Sequence, residues 1–406
     1  MGTQTLCKAS DRIVKGNALN QKGVSMLNKL KVSRTAFVML LAIFPIAVVA
    51  KFYEYNYMGS NAFILINYVL RGIYGGVLTG RNSLDFPIKI LSVFRFLDLN
   101  TPRSSGIFCA VIMNILCFLI FLFYKKRYTI DEYVFIYLTI FVLNLMVFDF
   151  NKDIIQFCII LILYMLLSIE RLNNIQKIFV CSGVLLFESI FFRSYYILAG
   201  GLTPMIFVML SGITPQTNKK NIALRILCIV IFFFVVIYAM KFISYEAYDE
   251  LVTRRDNIER LKANTQITNL FKGTSYATFC MNYFVNLIRC LFPLEIFTKG
   301  IQFVIFTIYE LYISLHIILS LRHITKENIV KISFILAYCM MLAASEADFG
   351  TFVRHQSVMA IFYLYMITQN NSGRKTLCLI RQYSEKDVNP SVSMLSSDNG
   401  IKRYKL

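Results

Sequence analysis

Charged side chains are scarce in this sequence: Asp, Glu, Lys and Arg make up 16% of its 406 residues, while 57% are hydrophobic. An average soluble domain carries about a quarter charged residues, and a soluble fold could not hide so much apolar surface. Paired cysteines are missing as well. Nine of the ten, from Cys109 to Cys378, lie in or beside apolar stretches without C-x-x-C spacing, which reads as small core residues and excludes a disulfide frame or a zinc site. No Walker sequence, no G-x-S-x-G elbow and no D-x-D-like pair in a metal setting occurs, so neither nucleotide-driven nor metal-dependent chemistry is expected, and no cofactor is implied. No cleavable signal peptide is expected either, because the polar, basic first 34 residues lead into an apolar block from Thr35 to Ala50 with no small-residue cleavage site behind it.

What the sequence does have is apolar blocks of about 20 residues, the length a helix needs to cross a hydrocarbon core of about 30 Å. Ten candidate spans fall near 36–52, 104–124, 132–148, 154–169, 177–191, 195–211, 222–243, 300–320, 328–345 and 355–369. The expected fold is therefore all-α: a polytopic integral membrane protein with about ten transmembrane helices. Segments 61–80 and 279–298 are apolar but contain Arg71 and Arg289, and read as re-entrant or interfacial helices. The expected organisation is a basic cytoplasmic segment over 1–34, one transmembrane domain over 35–370 with outer segments 53–103 and 244–299, and a basic cytoplasmic tail over 371–406.

Lys and Arg accumulate on cytoplasmic loops. Here they cluster before the first span and again at Lys125–Arg127, Lys219–Lys220, Arg322–Lys331 and Arg374–Arg381, after every second span, so both termini are expected inside. That rule and attraction to anionic inner-leaflet lipid account for most of the net charge of +19, which therefore does not imply a nucleic-acid partner. The stretch from Glu246 to Lys262, dense in both signs with acid-to-base spacings of four, reads as a solvated surface helix.

Charges on the outer side are the exception to this pattern. Lys152, Arg193 and Arg354 each stand at the outer mouth of a span, where an ionised group costs several kcal/mol unless it is paired or hydrated. Snorkelling to the interface is the simpler account of Lys152 and Arg193. The stretch from Glu346 to His355 compresses two acids, a glycine, an arginine and one of three histidines between apolar spans. Gly350 is expected to break the helix there and turn these polar groups toward a cavity, with an Asp348–Arg354 ion pair as the structural alternative. Guanidinium groups match phosphate oxygens in bidentate geometry, so such cations suggest a lipid diphosphate ligand. Tyrosines on the outer segments, Tyr195 and Tyr196 among them, suit sugar stacking but equally an interfacial aromatic belt.

The turn Asp149-Phe150-Asn151-Lys152-Asp153, the stretch Phe192-Arg193-Ser194 and the run Asp348-Phe349-Gly350-Thr351-Phe352-Val353-Arg354-His355 resemble the Wzy-like polymerases that extend bacterial O-antigen or capsule chains. The whole-chain architecture resembles that family too, and an R-x10-G spacing found in some members recurs at Arg95 to Gly106 and Arg289 to Gly300. The resemblance implies a GT-C-like, metal-independent inverting glycosyltransferase of the bacterial inner membrane, working at the periplasmic face. A growing glycan would pass from undecaprenyl diphosphate to an incoming undecaprenyl-diphosphate-linked repeat unit, with a chain-length regulator as an implied protein partner. Arg193 and Arg354, then Arg289 and Lys152, would bind the departing diphosphate, while Asp348, Glu346 and His355 compete for the proton of the acceptor hydroxyl. The alternatives are a transporter or flippase of lipid-linked oligosaccharide, disfavoured because the mid-span positions look nearly clean apart from Glu188, and an O-antigen ligase, which differs only in acceptor. A membrane acyltransferase would need a cytoplasmic His/Arg site, for which Arg322 and His323 are poor candidates.

Overall fold

The computed structural model describes residues 33–57, 63–76, 82–212, 219–243, 245, 248–249, 251–252, 265–273, 275–321 and 324–372. Among them the regular structure is helical, apart from one isolated β-bridge between Gln266 and Asp348. Most of the charged stretch 246–262, His323 and the basic clusters at both termini lie outside the described residues. Among the described residues, four helical stretches are long and apolar enough to cross a membrane: Arg34–Tyr57, Pro102–Tyr124, Asn174–Phe191 and Phe303–Ser320. Tyr196–Ser211, Leu227–Phe242 and Ile329–Ser345 are shorter apolar helices. The protein is thus a helical membrane protein.

The chain falls into two compact units, Met1–Gln156 and Phe157–Leu406. In the first, α1 (Arg34–Leu40) and α2 (Ile43–Tyr57) form one interrupted span. Pro45 explains the interruption, since it has no N–H and its ring crowds the carbonyl four residues back, at Leu41. Next come α3 (Ile64–Gly75), α4 (Asn82–Leu91), α5 (Pro102–Tyr124) and α6 (Ile130–Met146). Thr101 starts α5 with a capping box to Ser104 and a proline at the first helical position, and Thr129 starts α6 in the same way with Glu132. Within the apolar bundle Asn114 of α5 and Asn144 of α6 exchange two amide hydrogen bonds, at 2.8 and 3.0 Å. Such pairs hold transmembrane helices together where no hydrophobic driving force acts between them.

After α7 (Lys152–Leu167), which begins in the first unit, the second unit contains α8 (Asn174–Phe191), α9 (Tyr196–Ser211), α10 (Lys219–Ile243), α11 (Tyr276–Leu291), α12 (Ile301–Ser320), α13 (Ile329–Ser345) and α14 (Phe349–Ser357), followed by a helix over 360–372. Its centre is α13, buried along nearly its whole length and packed against α9, which in turn packs on α8. Gly200 permits the α8–α9 approach: Ser182 Oγ donates to the Gly200 carbonyl at 2.9 Å, and a Cβ at Gly200 would already touch Leu185.

The two ends of this unit are distinct. At one, the Asn174 amide donates to the Lys326 carbonyl at 2.9 Å and Lys331 Nζ lies 2.9 Å from Ser168 Oγ. At the other lie Arg193, just past the C-terminus of α8, and Glu346, just past the C-terminus of α13. Helices α8 and α13 therefore run parallel, and 18 residues separate the two ends by about 27 Å. Helices α3 and α11, in the segments expected to be re-entrant or interfacial, contain 12 and 16 residues, or about 18 and 24 Å, short of a hydrocarbon core.

Candidate functional site

The C-terminus of α8 places Arg193. The Phe192 and Arg193 amides both donate to the Glu188 carbonyl, at 2.8 and 3.2 Å, and the chain reverses into α9 through Tyr195. From the neighbouring α13, Glu346 follows as an extended C-cap whose own N–H still donates to the Leu342 carbonyl at 2.8 Å. These two helix ends bring Arg193 and Glu346 together, with Nη1 3.0 Å from Oε1 and side chains only 9% and 3% exposed. Tyr195 joins them: its hydroxyl donates to the same Oε1 at 2.6 Å and accepts from Arg193 Nη1, whose guanidinium also sits 5.7 Å from the tyrosine ring. His355, fully buried on α14, directs Nε2 toward that oxygen at 3.6 Å. One carboxylate oxygen thus faces a guanidinium, a phenol and an imidazole inside an apolar bundle.

Asp348 has a different task. It is the N-cap of α14, in extended conformation, and its Oδ1 accepts from the Thr351 amide at 2.9 Å. The Thr265 hydroxyl donates to its other oxygen. The helix break expected at Gly350 therefore falls earlier, over Glu346–Asp348, and Gly350 is the second residue of α14. A Cβ at Gly350 would crowd Asp348 Oδ1 at 3.1 Å, which accounts for the glycine. The same turn is stitched to residues 265–267 by two backbone bonds, Ile267 N–H to the Ala347 carbonyl at 2.9 Å and Phe349 N–H to the Thr265 carbonyl at 2.8 Å.

Arg354 is half-buried in the last turn of α14, one residue before His355 and so about 100° around the helix from it. Arg289 on α11 grips Glu295 with two nitrogens, at 2.8–3.1 Å, and reaches the Thr268 carbonyl at 2.5 Å. Together with Asn282 and Asn286 on the same helix, which bond Phe271 and Asn269, it anchors the segment that pairs with the Asp348 turn. Lys152 opens α7 in the first unit, half-buried beside Asn151, whose side chain caps the helix by accepting from the Asp153 amide at 2.9 Å. The structure brings together Arg193, Glu346 and His355, and gives Asp348 and Arg289 structural partners.

Several charged residues inside or beside apolar helices, Glu188 apart, were not singled out in the sequence. Lys51 on α2 is clamped between Glu54 at 2.7 Å and Asp149 at 2.9 Å, all three buried. A Cβ at Gly106 of α5 would run into Asp149 and Tyr55 at this point. Glu188 and Glu310 are also buried within candidate spans, and their carboxyl oxygens have no hydrogen-bond partner among the described residues. The mid-span positions are therefore less clean than the hydropathy suggests. For Lys51 and Glu54 the available signal was their i, i+3 spacing on one helix face.

No protein-family model matches the chain, and neither a curated protein nor a solved structure is significantly similar to it.

Proposed function

We propose that this protein is a membrane glycosyltransferase that polymerises O-antigen or capsule repeat units. It would cross a bacterial inner membrane about ten times with both termini in the cytoplasm, and transfer a growing glycan from undecaprenyl diphosphate onto an incoming lipid-linked unit at the periplasmic face. The observation that carries this reading is the buried Arg193–Tyr195–Glu346–His355 cluster at one end of the second unit. The parallel course of α8 and α13 also fits, because ten spans place four crossings between their starting points, and an even number is required to return to the same side.

In this reading the acceptor hydroxyl attacks the anomeric carbon of the donor. The bond to the diphosphate breaks with its electron pair, and the hydroxyl proton passes to a base. Glu346 faces Nε2 of His355, which favours the tautomer with its proton there and leaves Nδ1 as the basic nitrogen, in the manner of a carboxylate–imidazole dyad. At 3.6 Å the contact is longer than a hydrogen bond, so Glu346 acts on the imidazole through its charge. Arg193 is preorganised by Glu346 and Tyr195 through Nη1, and a guanidinium carries five N–H donors in all. With Arg354 it would stabilise the departing diphosphate, with Arg289 and Lys152 more remote in role. Asp348, occupied as a helix cap, is the weakest of the three base candidates.

Deletion tests the reading. A polymerase acts after the repeat unit has been built and exported, so deleted cells should display core bearing a single unit. Complete loss of surface sugar would point to a ligase or a flippase. The flippase reading draws support from Glu188 and Glu310, since buried carboxyls within membrane helices often belong to proton or ion pathways.

A further inference from the structure

A groove of ≈ 390 Å³ runs between α2 and α5 in the first unit, apart from the cluster above. Its ends differ. Tyr55 and Arg103 meet at one, the Tyr55 hydroxyl donating to the Arg103 carbonyl at 3.4 Å and the Arg103 guanidinium lying 5.6 Å from the tyrosine ring. Phe44 and Ile115 stand at the other, and the twelve-residue step from Arg103 to Ile115 gives a length of about 18 Å. Apolar side chains make most of the wall; no acid is among the lining residues, and the lining Lys51 is already neutralised by the buried Glu54 and Asp149. Arg103 is exposed, and no carboxylate pairs with it among the described residues. It occupies the second position of a 23-residue helix, where the helix dipole also favours an anion.

We propose that this groove binds a lipid with an anionic phosphate monoester head, its hydrocarbon chain lying along α2 and α5 and its phosphate on Arg103. The chemistry favours this occupant: a concave apolar wall accepts a chain, and the exposed Arg103, with no carboxylate on it among the described residues, accepts a phosphate. Bulk lipid would cover the groove without preferring any head group. This inference needs only that the protein spans a membrane, and it stands or falls independently of the polymerase reading.

The chain contains no tryptophan, so one introduced indole reports on one place. Ile115→Trp or Val48→Trp, the second on the facing wall, places the reporter in the groove, and Phe179→Trp places it on the exposed surface of α8. The full-length protein is reconstituted in phosphatidylcholine nanodiscs doped with phosphatidic acid or phosphatidylcholine carrying brominated chains, which quench indole on contact. Phosphatidic acid should quench the groove reporters several-fold more effectively than phosphatidylcholine and show no such preference at Phe179→Trp. Arg103→Ala should abolish the preference and Arg103→Lys should keep part of it. Equal quenching by the two lipids at both groove positions, or a preference that survives Arg103→Ala, would overturn the proposal.

Discussion

Arg193 and Glu346, 153 positions apart in the chain, form an ion pair of 3.0 Å between side chains that are 9% and 3% exposed. Removing one member of a buried pair leaves the other charged and uncompensated, at a cost of about 3–5 kcal/mol. Glu346→Ala and Arg193→Ala should therefore each lower the thermal midpoint of the detergent-solubilised protein strongly, and the double variant should lose much less than the sum of the two. Strict additivity in that cycle would show that the pair is not energetically coupled.

Asp348 separates capping from catalysis. Asparagine caps a helix about as well as aspartate, whereas alanine costs about 1 kcal/mol. Asp348→Asn should retain near-normal chain length and stability, and Asp348→Ala should lose stability by about that amount. If Asp348→Asn abolished polymer while the protein accumulated normally, Asp348 would be the base after all.

In the first unit, Lys51 balances two buried carboxylates. Lys51→Met keeps the volume but leaves Glu54 and Asp149 facing each other without a cation, and accumulation in the membrane should fall sharply. Adding Asp149→Asn to the same chain should restore a substantial part of the loss, read as protein level per cell. No restoration would mean that Lys51 matters through contacts other than this triad.

These examples show where the sequence was legible. The helical membrane class followed from apolar block length alone, and Arg193, Glu346, Asp348, His355 and Arg354 could be singled out because charge at a helix mouth is costly. Their pairing could not be read, since Arg193 meets Glu346 only once α8 and α13 lie side by side. Glycine drew the expected break to Gly350, although Asp348 with Thr351 three residues on is a capping pattern that places it earlier. Glu310 escaped notice because one acid barely lowers the hydropathy of a 20-residue apolar window.

Topology gives a test that needs no assay of function. In a cysteine-free background, cysteines placed at the exposed positions Arg127 and Arg171 should react only from the cytoplasmic side, and one at the exposed Asp98 only from the periplasmic side. Labelling of Asp98→Cys from the cytoplasm would invert the orientation and remove the periplasmic site.

The central proposal is that the end of the second unit holding Arg193, Glu346, His355 and Arg354 is where the glycan is released from its lipid diphosphate. It is tested most directly by the chain-length ladder of surface polysaccharide, normalised to membrane protein level, for Arg354→Ala, Arg354→Lys and His355→Ala. Loss of one donor or base from a preorganised site costs about a hundredfold to a thousandfold in rate. Arg354→Ala and His355→Ala should therefore accumulate in the membrane yet produce no long chains, while Arg354→Lys should recover only part of the ladder because an ammonium keeps the charge and loses the two-pronged grip. Near-normal ladders from well-expressed Arg354→Ala and His355→Ala proteins would contradict the account.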